Sequence, residues 1–112
     1  MQTNGEAKKE AKREAYDRLR KSIPDVESPD ILVITTGVRE MGQIMMLKLL
    51  GMVRDFDTFT KDNDPYGEHD FGMIEIEGQK NFWKIDDYRG SGEEVGGVKI
   101  RYLLTVMKSE EY

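Results

Sequence analysis

Apolar positions are spread unevenly along the chain. Over residues 1–22 they form a thin stripe, with Ala7, Ala11, Ala15 and Leu19 at i, i+4 spacing and Tyr16 beside it. The intervening Lys, Glu and Arg are strong helix formers. Thr3 with Glu6 three residues later has the form of a capping box. This spacing predicts a charged amphipathic helix over 1–22, set apart as an arm, and its small residues bury little area alone. Pro24 and Pro29 bracket a loop. Residues 31–36 are a β-branched run of strand length, read as a buried strand. Residues 43–56 change to a helical pattern. Gln43, Lys48, Gly51, Arg54 and Asp55 share one face, and Ile44, Leu47, Leu49, Leu50, Met52 and Val53 are among the apolar residues covering the rest. A mostly buried helix at the centre of the core is expected, its methionines serving adaptable packing.

The second half reads as β structure. Residues 71–76 and 82–86 flank Glu77-Gly78-Gln79-Lys80, a hairpin turn signal. On the return strand Trp83 and Ile85 share one face, and Phe82, Lys84 and Asp86 the other. Residues 90–97 read as a flexible glycine-rich loop. Residues 98–107 alternate with period two, which predicts a last strand; a helix over 102–110 is the rival assignment. The order α-β-α-β-β-β predicts an α+β fold. Its small antiparallel sheet has about four strands, a buried helix packed on one face, and the charged N-terminal helix in addition. Residues 30–112 form the single domain.

Composition narrows this picture. A chain of 112 residues suits one domain. It is 38% apolar and 35% charged, polar for a globular protein, yet Trp83, four Phe and five Tyr supply a core. The absence of cysteine excludes disulfides and thiolate metal sites. Neither a secretion signal nor an apolar run of ~20 residues is found, so a cytoplasmic protein without a membrane partner is expected. The net charge of −5 is asymmetric: residues 1–21 hold seven Lys/Arg against four acids. A basic helix on an acidic body could dock on itself, on a second copy or on a polyanion. The acidic remainder disfavours nucleic acid.

The densest chemistry lies in residues 62–72, DNDPYGEHDFG. Asn63-Asp64-Pro65-Tyr66-Gly67 is turn-forming by construction. It leads into Glu68-His69-Asp70, which holds the only histidine. If Asp70 opens a strand, His69 and Phe71 point to one face and Glu68 and Asp70 to the other.

Several readings compete. Asp62, Asp64, Glu68 and Asp70 are hard oxygen ligands, but their spacing misses the EF-hand loop and a single His without Cys does not suit zinc, so no metal and no cofactor is expected. His69 with Asp70 or Glu68 could act as a base in a small hydrolase-like enzyme. No nucleophile elbow, phosphate-binding glycine loop or His-Glu-x-x-His accompanies it. Alternatively the turn displays Asn63, Asp64, Tyr66, Glu68 and His69 for recognition, with Lys84 and Tyr88 nearby on the hairpin. The plainest alternative is that Asn63, Asp64, Pro65 and Gly67 only shape the turn.

The block from Phe56-Asp57 through Asn63-Asp64-Pro65-Tyr66-Gly67-Glu68-His69-Asp70-Phe71-Gly72, then Phe82-Trp83-Lys84-Ile85-Asp86, Leu104-Thr105-Val106-Met107 and Glu111-Tyr112, resembles a bacterial domain of unknown function numbered 3768. The resemblance runs from about residue 31 onward. Asp87 replaces an aromatic residue of the family pattern, and the loop before the last strand carries extra glycines. The resemblance implies a small accessory protein of bacteria and mobile elements. With the residues above, it leads us to expect a non-enzymatic binding module, phage- or plasmid-encoded, that inhibits or evades a host defence by engaging a protein or nucleotide ligand. A homodimer through the N-terminal helix is a further expectation.

Overall fold

The structure, a computed structural model, describes residues 4–112, so the capping box at Thr3 lies outside it. The helices are α1 (Asn4–Lys21), α2 (Thr36–Arg39) and α3 (Gln43–Arg54). The strands are β1 (Ile31–Ile34), β2 (Phe71–Ile76), β3 (Gln79–Asp87), β4 (Glu94–Val95), β5 (Val98–Lys99) and β6 (Tyr102–Lys108), and a 3-10 turn over Ser109–Glu111 follows.

Four strands make the main sheet in the order β1-β6-β3-β2. The expected α+β class holds. The sheet, however, is mixed: β2–β3 and β3–β6 are antiparallel, while β1 lies parallel to β6. The chain leaves β1 through α2 and α3, and a helical crossover permits a parallel partner where a tight hairpin does not. As a sheet edge, β1 is half-buried instead of buried, with Val33 38% exposed.

Hairpin chemistry appears where the sequence places it. Glu77 and Gly78 connect β2 to β3 with φ of 48° and 81°. Two positive φ values mark a type I′ turn, which suits the twist of the flanking strands and costs Gly78 nothing. Alternation then buries Ile74, Ile76, Trp83 and Ile85 on one face. Tyr102, Leu104 and Val106 join them from β6, so residues 102–108 are a strand and not a helix. The expected strand from residue 98 is interrupted, because the glycine-rich loop folds its own two-stranded hairpin, β4–β5, turning at Gly96-Gly97.

The helices cover the buried face. Tyr16, Leu19 and Ile23 pack with Val38, Leu49, Leu50 and Val53 against Trp83, Leu104 and Val106. Tyr16 and Leu19 anchor α1 to the body, with Ala15 partly buried beside them. Two such side chains contribute roughly 3–6 kcal/mol. Only the C-terminal half of the stripe, Ala15 and Leu19, meets the core, while Ala7 and Ala11 are exposed. Helix α3 is less buried than expected. Leu49, Leu50 and Val53 face inward, but Ile44, Leu47 and Met52 are exposed. Because α1 shares the sheet with it, α3 buries only one narrow side.

Candidate functional site

The turn after α3 is built by its own side chains. Asn63 Oδ1 accepts from the Thr60 amide at 2.8 Å, and its Nδ2 donates to the Thr58 carbonyl at 2.8 Å. The Asp64 carboxylate accepts from the Glu68 amide at 3.1 Å and the His69 amide at 3.3 Å. Asn63 and Asp64 are therefore used locally, as Asx chemistry favours. Tyr66 is left at the tip, 71% exposed.

This closure forces His69 to φ 56°, the left-handed region. The alternation expected through His69 and Phe71 fails there, because it requires extended backbone on both sides. Phe71 packs against Phe82 and Tyr112. His69 turns instead toward the helices and stacks on Phe59, with ring centroids 3.7 Å apart and planes 6° from parallel. A strained backbone persists only where its surroundings over-determine it, and here three contacts do so.

The second contact comes from α1. His69 Nδ1 lies 2.9 Å from Asp17 Oδ1. A carboxylate only accepts, so this nitrogen donates. The third is Asp64, whose Oδ2 faces His69 Nε2 at 3.6 Å. Asp17 Oδ1 also accepts from Arg20 at 3.1 Å. Arg20 is 2% exposed, donates to the Phe56 carbonyl at 2.9 Å, and lies over the rings of Phe59 and Trp83. One turn earlier, Arg13 donates to the Gly67 carbonyl at 3.2 Å. Arg13, Asp17 and Arg20 recur at helical spacing and fasten α1 to the turn.

Two open clefts flank the stacked His69 and Phe59. One, of about 470 Å³, runs between α1 and the turn past Lys9, Arg13, Lys61 and Tyr66. The other, of about 490 Å³, is bordered by Asp17, Arg20, Lys21 and Arg54. Both volumes fall in the range of small-ligand sites.

The remaining candidates are dispersed. Glu68 and Asp70 do not contact the His69 ring nitrogens among the described residues. Burial, and then the neighbouring Glu68 and Asp64, push the Asp70 carboxyl above its usual range. Lys84 projects from the opposite sheet face and pairs with Asp86 at 3.3 Å. The Tyr88 amide donates to the Arg101 carbonyl, and Tyr88 lines neither cleft. Sequence reasoning missed Asp17, Arg20 and Phe59. The one available signal was Arg13, Asp17 and Arg20 on a single helical face, which reads equally as a solvated stripe.

Among the described residues no group of three or more His, Asp or Glu is placed to hold a metal ion, and no helix is long and apolar enough to cross a membrane. A family model described as "Protein of unknown function (DUF3768)" matches residues 34–111. No curated protein and no solved structure matches the chain.

Proposed function

The chain belongs to the DUF3768 family, whose description carries no activity, and from that premise we propose that it is a non-enzymatic binding module capturing a protein or nucleotide ligand between α1 and the turn of residues 59–69. The observation that carries this reading is the strained His69, fixed from three directions as the floor of a cleft whose rim is the exposed Tyr66. Rigid floors with an exposed aromatic at the edge suit recognition, since little ordering entropy is lost on binding. The accessory-protein setting implied by the family resemblance extends the proposal to an inhibitor of host defence, carried by phage or plasmid.

Tyr66 and Lys61 are exposed, so Tyr66→Ala and Lys61→Glu leave the fold intact. Capture of a specific partner from lysate by the immobilised protein is expected to fall with both variants and to persist with Lys48→Ala on α3. Capture unchanged by the turn variants would place the binding surface elsewhere.

One observation supports the alternative of a small hydrolase-like enzyme. The His69–Asp17 pair has the geometry that orients an imidazole as a base, with Asp17 in the role assigned from sequence to Asp70 or Glu68. That reading requires a turnover that His69→Ala abolishes without loss of fold.

A further inference from the structure

On the other side of Tyr66 lies a second groove, of about 560 Å³. Lys8, Lys9 and Lys12 of α1 line it together with Arg89, and Glu68 is the single acid among its lining residues. The chain as a whole carries −5, so this concentration of cations stands against the general charge. Lys8 and Lys12 are one helical turn apart, an i, i+4 like-charge pair that repels and weakens an isolated helix. A bound anion would remove that repulsion.

The groove is also partly pre-arranged. Asp87 holds Arg89 through two bonds, 3.0 Å to Nε and 2.8 Å to one terminal nitrogen, and lies 3.8 Å from Lys12. Arg89 is thereby laid over the Tyr102 ring, 5.2 Å from its centroid. The second terminal nitrogen makes no bond to Asp87 and retains its donors for a ligand. Further along α1 the next hollow is mixed in charge, with Asp25, Glu27 and Asp30 set against Arg18, Arg89 and Arg101, and Asp30 paired with Arg101 at 2.7 Å. Its acids break the run of unopposed cations. A long nucleic acid would need it to continue, whereas a small polyanion would not. Tyr66 borders both this groove and the cleft above His69, and its exposed ring offers a face on which a base can stack.

We infer that this groove binds a nucleoside polyphosphate, its phosphates against Lys8, Lys12 and Arg89 and its base on Tyr66. The inference rests on the recognition surface proposed above and names its ligand class. It is tested by calorimetric titration of the full chain with ATP, tripolyphosphate and adenosine as separate probes. ATP should bind, and the Lys8→Ala/Lys12→Ala pair should weaken it roughly tenfold or more, with Lys48→Ala as the neutral control. Tyr66→Ala should weaken ATP while leaving tripolyphosphate unchanged. Equal binding of ATP and tripolyphosphate, indifferent to Tyr66, would overturn the nucleotide assignment. Binding of ATP that ignores the lysines would overturn the groove. Failure of both ATP and tripolyphosphate, or binding of a single-stranded oligonucleotide in their place, would overturn the inference altogether. The binding-module proposal would still be judged separately, by whether partner capture depends on Tyr66 and Lys61.

Discussion

Replacing Asp17 by alanine is the most informative single perturbation, because one carboxylate serves two partners. Its Oδ1 lies 3.1 Å from Arg20 and 2.9 Å from His69. Without it, Arg20 remains 2% exposed with only the Phe56 carbonyl and two aromatic faces around its charge. Removing one member of a buried ion pair costs about 3–5 kcal/mol. Asp17 itself is 26% exposed at the side chain, so solvent screens part of the loss and the lower end, about 3 kcal/mol, applies. That is a large share of the roughly 5–15 kcal/mol a domain possesses. With a urea slope of about 2 kcal/mol per molar, the midpoint should fall by about 1.5 M. Trp83 is the only tryptophan, fully buried beneath Arg20, so its fluorescence reports both unfolding and the local change. Adding Arg20→Met to Asp17→Ala should recover part of the loss, because the stranded charge is gone. A loss below about 1 kcal/mol, or a double variant no more stable than Asp17→Ala, would refute the buried-pair argument.

Three further outcomes follow from the same geometry. Gly72→Ala would bring a Cβ within 2.6 Å of Trp83 Cε2 and 2.9 Å of its Cζ2. Overpacking of about 1–3 kcal/mol is expected, with the near-UV circular dichroism of Trp83 altered; an unchanged melting temperature would show that the strand accommodates the methyl group. Asp70→Asn should raise the melting temperature at pH 7. Burial, ahead of Glu68 and Asp64, raises this carboxyl above its ordinary 3.8, so ionised Asp70 penalises the fold at neutral pH and protonation relieves the penalty as pH falls through the raised value. The gain should vanish in acid, and an equal gain at all pH values would contradict it. Glu111 has the opposite sign. The Lys108 amide, the Thr35 hydroxyl and the Gly37 amide bond its carboxylate and hold it below its ordinary 4.5. This stabilisation is present at neutral pH and lost as pH falls through the lowered value. Glu111→Gln should therefore lower the melting temperature at pH 7 and converge with the parent at low pH.

Local chemistry was legible in the sequence wherever it acts over a few residues. The Glu77-Gly78 turn, the Trp83 and Ile85 face, and the turn-building of Asn63 and Asp64 all depend on neighbours within about five positions. What failed depends on distance along the chain. The parallel pairing of β1 with β6 joins residues some seventy positions apart, and nothing local encodes it. The exposure of Ile44 and Leu47 reflects competition between α1 and α3 for one sheet face, which a pattern within α3 does not record. The site itself divides the same way. The sequence offers His69 and its turn, while Asp17, Arg20 and Phe59 become its partners only when α1 docks. The helical face of Arg13, Asp17 and Arg20 looks like a solvated stripe because charge usually means exposure. Gly67 and His69 supply the reason it does not here.

The central claim is that the face between α1 and the turn recognises a ligand. Amide spectra of the 15N-labelled protein, recorded in buffer, with ATP and in concentrated cell extract, test it most directly. Shifts or broadening are predicted to be confined to residues 8–13, 59–69 and 88–89, and to need more ATP in Tyr66→Ala. Perturbation centred on the exposed side of α3, or none under either condition, would contradict it.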